Sequence, residues 1–121
     1  MNIHEEVIAF INRFTNNGKR QEVIECFTCG CCYWFALMLD VRFWSCVDWD
    51  LLDVYIVYDQ VANHFGCRIQ GRVYDITGDV TDDYFWESWD SVCRRDPLLE
   101  KRITRDCIEM RDYYEDYCNE G

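Results

Sequence analysis

The stretch Cys29-Gly30-Cys31-Cys32-Tyr33-Trp34-Phe35-Ala36 constrains the fold more than any other part of the chain. It reads as a tight glycine-containing turn running straight into a helix that continues through Leu37, Met38 and Leu39 to about Val41. That helix is apolar nearly all round, so it is expected to be the buried central element, covered from several sides. A thiol at the turn-to-helix junction sits beside the positive end of the helix dipole, where the nucleophilic thiolate is favoured. With 121 residues the chain has room for one domain (1–121) and a real core, but not for a peptidase with a full substrate domain. Half of the residues are hydrophobic and 17% are aromatic, which excludes a disordered chain.

Periodicity orders the rest. Ile3, Val7, Ile8, Ile11 and Phe14 recur at helical spacing, so 3–15 is expected to be an amphipathic helix, ended by Asn16-Asn17-Gly18. Residues 20–27 read as a short helix leading into the Cys29 turn. A loop through Ser45 and Asp50, carrying Trp44 and Trp49, is expected after the central helix. The period then changes: 54–58 is β-rich, and 64–69 and 72–76 are short runs separated by Gln70-Gly71, which reads as a hairpin. Gly78 and Asp79 close the sheet region. Residues 84–94, with Trp86 and Trp89, read as a helix. Asp96-Pro97 starts a final helix running to about Tyr117, with Leu99, Ile103, Cys107 and Met110 on one face. The fold class expected is therefore α+β, with helices packed around a small antiparallel sheet and C-terminal helices within 84–119.

The net charge of −11 argues against direct binding to a phosphate backbone and is compatible with a basic protein partner. No apolar segment is long enough to span a bilayer, and His4, Glu5 and Glu6 stand where a signal peptide would be basic. A cytoplasmic location is expected, with the nine cysteines as reduced thiols. Cys46, Cys67, Cys93 and Cys107 fall in apolar surroundings and read as small core residues. The tryptophans at 34, 44, 86 and 89 could line a cleft, although core packing is the commoner use.

The run Cys29-Gly30-Cys31-Cys32-Tyr33 matches the papain-type signature Cys-Gly-[Ser/Ala]-Cys-[Trp/Tyr] at every place but Cys31. The chain thus resembles the papain-like superfamily of cysteine hydrolases and transferases in its broad sense. That group includes bacterial cell-wall peptidases, transglutaminase-like proteins and arylamine N-acetyltransferases. The resemblance covers about 26–78 and extends to the order of elements, with His64 opening one strand and Asp75 on the next. It implies Cys32 as nucleophile, His64 as its base and acid, and Asp75 as the group orienting the imidazole. It implies hydrolysis or acyl transfer at a peptide, isopeptide or amide bond of a protein or peptide-like substrate. No cofactor and no metal are implied. Cys31 is the rival nucleophile. Cys26 stands where the papain pattern has a glutamine supporting the oxyanion, and Gln21 lies upstream at the wrong spacing.

A two-residue turn at Gln70-Gly71 would set Ile69 opposite Arg72, Gly66 opposite Asp75 and His64 opposite Thr77. His64 and Asp75 would then share one face as diagonal neighbours, with Gly66 leaving room between them. Phe65, Cys67, Ile69, Tyr74 and Ile76 would form the opposite, core face. A bulge at Gly71 would instead shift the pairing and turn Asp75 away.

Other uses of these residues remain open. Cys26 and Cys29 have the spacing of half a zinc site, but no second Cys-x-x-Cys exists. The same cluster could form a reversible disulfide with Cys32. Outside enzymes, the alternative is a small acidic interaction protein, such as a phage-encoded inhibitor of a bacterial defence or nucleic-acid-binding protein. Its Asp/Glu/Tyr-rich tail from Glu109 to Glu120 would then occupy a basic groove.

Overall fold

The computed structural model describes residues 2–28, 30–44 and 53–111. Among these, five helices and a five-stranded antiparallel sheet make an α+β fold. Helix α1 (Ile3–Phe14) buries Val7 and Ile11, and the Asn2 side chain caps it by accepting the Glu5 N–H at 2.9 Å. It ends as its sequence demands, with Asn16, Asn17 and Gly18 all at positive φ. Helix α2 (Gln21–Thr28) follows, burying Val23 and Phe27.

Helix α3 (Cys32–Trp44) is the centre of the core, burying Cys32, Phe35, Ala36, Leu39 and Phe43. From Cys32 to Asp40 no residue is exposed, but Val41, Arg42 and Trp44 emerge into solvent. The expectation of all-round burial therefore fails in the last turn, and Trp44 belongs to the helix, not to a loop. There the aromatic packing comes from α1: the Arg42 guanidinium lies 4.9 Å from the Phe10 ring centre, and Phe10 meets Phe43 edge-on.

The strands β1 (Val54–Asp59), β2 (His64–Ile69), β3 (Arg72–Asp75), β4 (Gly78–Asp79) and β5 (Glu87–Ser88) lie in the order β4-β3-β2-β1-β5. Gln70 and Gly71 both take positive φ, 46° and 85°, so the hairpin closes through two left-handed residues whose twist suits the strands. Ile69 pairs with Arg72, Arg68 with Val73 and Cys67 with Tyr74, which rules out the bulged register. Alternation then gives the sheet two unlike faces. Val54, Tyr58, Phe65, Cys67, Ile69, Tyr74 and Ile76 join α3 in the main core. The other face holds a smaller cluster of Val57, Val73 and Val80 under Tyr84 and Trp86. Gly66 lies there, and a Cβ on it would stand 2.9 Å from a Val73 methyl and 3.2 Å from the Trp86 ring.

Residues 84–94 do not form one helix. The Phe85 N–H donates to Asp59, and Glu87 and Ser88 pair with Tyr58 and Val57 of β1, so these amides serve the sheet. Helix α4 (Trp89–Arg95) begins only after them. Helix α5 (Pro97–Glu109) starts at its expected cap, Asp96 accepting the Leu99 N–H at 3.1 Å, and buries Leu99, Ile103 and Cys107. The Trp34 indole donates to the Cys107 carbonyl at 2.7 Å and ties α3 to α5. Cys67 is also buried, whereas Cys93 is only half-buried. The loop with Trp49, Cys46, the helix continuation toward Tyr117 and most of the acidic tail lie outside the described residues. Among the described residues no single helix is long and apolar enough to cross a membrane.

Candidate functional site

Asp75 ends β3, and its carboxylate is used twice. Oδ1 accepts the Thr77 N–H at 2.8 Å and the Thr77 hydroxyl at 2.6 Å, which folds the next turn back on the strand. Oδ2 is left to accept the His64 Nε2–H, at 2.8 Å. Both side chains are buried, each only 6% exposed. The hairpin register explains the meeting: the two residues share the smaller face of the sheet, one step apart on the diagonal.

The Cys32 thiol at the start of α3 also lies within interaction range of the His64 ring and helps to raise its pKa. With Nε2 committed to Asp75, the ring's Nδ1 is the nitrogen left for Cys32. The three residues singled out in the sequence are thus brought together, in the order thiol, imidazole, carboxylate. Burial alone would lower the imidazole pKa, but the hydrogen bond to Asp75 and the neighbouring Cys32 more than offset it, raising it to about 9. Cys31, the rival thiol, is fully buried, and burial followed by its hydrogen bond with Cys26 pushes its pKa well up. Cys32 opens instead on a cleft of about 230 Å³.

Asn63 and Phe65 line one side of that cleft, and Ile103, Asp106, Glu109 and Met110 line the other. Helix α5 therefore contributes a wall for which the sequence suggested no role. A second unforeseen residue is Asp59, buried at the end of β1. Its Oδ1 accepts the N–H groups of Val61 and Ala62 at 2.8 and 3.1 Å, and its Oδ2 accepts that of Phe85 at 3.1 Å. Burial opposes its charge, yet these three donors hold its pKa below the usual carboxylate value. One carboxylate thus shapes the loop that delivers His64 and the loop that carries Tyr84, whose ring centre lies 5.0 Å from that of His64. Asn63, at φ 52°, accepts the Tyr58 hydroxyl at 2.5 Å and completes the turn before His64. An aspartate closing a strand four residues ahead of an asparagine was the available sequence signal.

Gln21 is not at the site; its amide donates to the Gly18 carbonyl at 2.8 Å in the turn between α1 and α2. Trp86 and Trp89 pack near the site as well, Trp86 donating to the Val80 carbonyl and Trp89 meeting Tyr58 and Phe65 edge-on. Among the described residues no group of three His, Cys, Asp or Glu side chains is placed to hold a metal ion. Compared with known proteins, the chain matches no family model, no curated protein and no solved structure.

Proposed function

We propose that this protein is a thiol-dependent hydrolase or acyl transferase of papain-like plan, acting on peptide, isopeptide or amide bonds in the cytoplasm. The observation that carries the reading is the buried imidazole of His64, hydrogen-bonded to the Asp75 carboxylate and within interaction range of the Cys32 thiol, which itself opens on a cleft. With its pKa near 9, His64 holds a proton at neutral pH beside Cys32, the proton that a leaving group would take.

The thiolate attacks the acyl carbon, a C–S bond forms, and the carbonyl π pair moves to oxygen. Backbone amides of the first turn of α3 receive that oxyanion. Collapse of the adduct breaks the bond to the leaving amine, which takes the proton from His64. Water or an acceptor nucleophile then gives its proton to His64 and displaces Cys32. Asp75 holds the imidazole in the tautomer and orientation both steps need. Asp106 and Glu109 on the cleft wall, in a chain of net charge −11, suit a neutral or basic peptide-like substrate better than an anionic one.

The test is alkylation with iodoacetamide at pH 7, followed by mass mapping and by hydrolysis of an activated ester such as p-nitrophenyl acetate. Cys32 should label ahead of the half-buried Cys26 and Cys93, and Cys32→Ser should lose at least about 10³-fold in ester hydrolysis while keeping its fold. Equal labelling of all accessible thiols, or an equally active Cys32→Ser variant, would move the function elsewhere.

A further inference from the structure

We propose that Cys26 and Cys31 form a reversible disulfide when the protein meets a hydroperoxide, a modification that staples the last turn of α2 to the residue preceding α3. The two sulfurs lie 3.1 Å apart as free thiols. The backbone already holds them in register, since the Cys31 N–H donates to the Cys26 carbonyl at 3.0 Å. Closing an S–S bond of about 2 Å therefore needs only a small rotation of two side chains.

The pair divides the work by exposure. Cys26 is half-buried and meets the oxidant, whereas Cys31 is fully buried and can reach only a neighbour. The Cys26 sulfur attacks the peroxide O–O bond, giving a sulfenic acid and one water from hydrogen peroxide. The Cys31 sulfur then attacks that sulfenic sulfur, the S–S bond forms, and the hydroxyl leaves with the Cys31 proton as a second water. Two cysteines lose two electrons and two protons, and the peroxide is reduced to two waters. A thiol reductant reverses the step through a mixed disulfide.

The bond also reaches the cleft. As a thiol, Cys31 donates to the Met110 carbonyl at 3.7 Å, and Met110 lines the cleft beside Cys32. Oxidation removes that S–H donor and so changes the support of the α5 wall. The pair leaves Cys32 outside the bond, in contrast to a disulfide made with Cys32 itself. This inference stands on the Cys26–Cys31 geometry and does not depend on the hydrolase reading.

The experiment treats the full chain with hydrogen peroxide, alkylates the remaining thiols with iodoacetamide in denaturant, and cleaves after Phe27 to separate Cys26 from Cys31. Cys26 and Cys31 should lose alkylation together. A species joining their two fragments, lighter than their sum by two hydrogens, should appear and be released by dithiothreitol. It should persist in Cys29→Ser and Cys32→Ser and be absent in Cys26→Ser. Linkage of Cys26 to Cys29 or Cys32, or a Cys26 that stays alkylatable under peroxide that oxidises Cys32, would overturn the proposal. The wild-type map decides the matter even where a variant fails to fold.

Discussion

The turns Asp75-Ile76-Thr77 and Asp79-Val80-Thr81 are near-copies in sequence and in local chemistry. In each, one carboxylate oxygen accepts both the N–H and the hydroxyl of the threonine two residues on. They differ in what the second oxygen meets. In Asp75 it faces His64, with both side chains 6% exposed. In Asp79 it faces Arg72 at 2.9 Å, with side chains 34% and 44% exposed. Asp75 stands beside β2, which brings a histidine buried under Tyr84 and Trp86, whereas Asp79 lies in the edge strand β4. The same local device is a turn cap at the edge and part of a candidate reactive site one strand inward.

Asp75→Asn tests that difference most severely. It keeps the size of the turn cap but leaves a buried imidazole without its carboxylate, at a cost of about 2–4 kcal/mol in urea unfolding. With the Asp75 contribution gone and only Cys32 left to oppose burial, the His64 pKa, followed by NMR of the imidazole, should fall from about 9 toward its ordinary 6.5. An Asp75→Asn protein as stable as Asp79→Asn would break the comparison.

The next effect is on pH dependence. The folded pKa of His64 lies above its unfolded value, so its contribution to stability is full below about pH 6.5 and is lost as pH rises through about 9. The expected loss between pH 6 and 10 is about 1–3 kcal/mol, read from urea midpoints, and Asp75→Asn should flatten it. If the protein hydrolyses its substrate as proposed, activity should fall over the same alkaline limb, because His64 must carry the proton it gives to the leaving amine.

Smaller again is Thr77→Val, which removes one hydroxyl donor from the Asp75 carboxylate and should cost about 1 kcal/mol by the same unfolding measurement. The smallest change is expected for Asp79→Asn, with a melting temperature within about 3 °C of wild type and a difference that fades in high salt. A larger, salt-independent drop would show that the edge turn is not the solvated copy its exposure indicates.

The hairpin shows how much of the fold local pattern carries. Apolar alternation in 65–69 and 72–76 allowed one register through Gln70-Gly71 to place Phe65, Cys67, Ile69, Tyr74 and Ile76 on one face, and that register is the one observed. Helix ends at Asn16-Asn17-Gly18 and Asp96-Pro97 were equally legible, because capping is chemistry within a few residues. Residues 84–88 misled because Trp86 and Trp89 are compatible with a helix, while the decisive partner of the Phe85 N–H is Asp59, far away in the chain. The exposed end of α3 was illegible for the same reason: apolar side chains there do not say how far their cover extends.

The sequence by itself determined the α+β order, the hairpin register, the helix caps and the placing of His64 and Asp75 on one face. Each depends on periodicity or on hydrogen bonds made within a turn. Only the tertiary structure decided that Cys32 meets that pair, that Cys31 turns inward to Cys26, that Asp59 joins two loops and that α5 walls the cleft. Those contacts join segments far apart in the chain, and they arise where elements pack against each other. Local pattern specifies which side of an element is apolar, but the neighbour that covers it is chosen by the packing of the whole core.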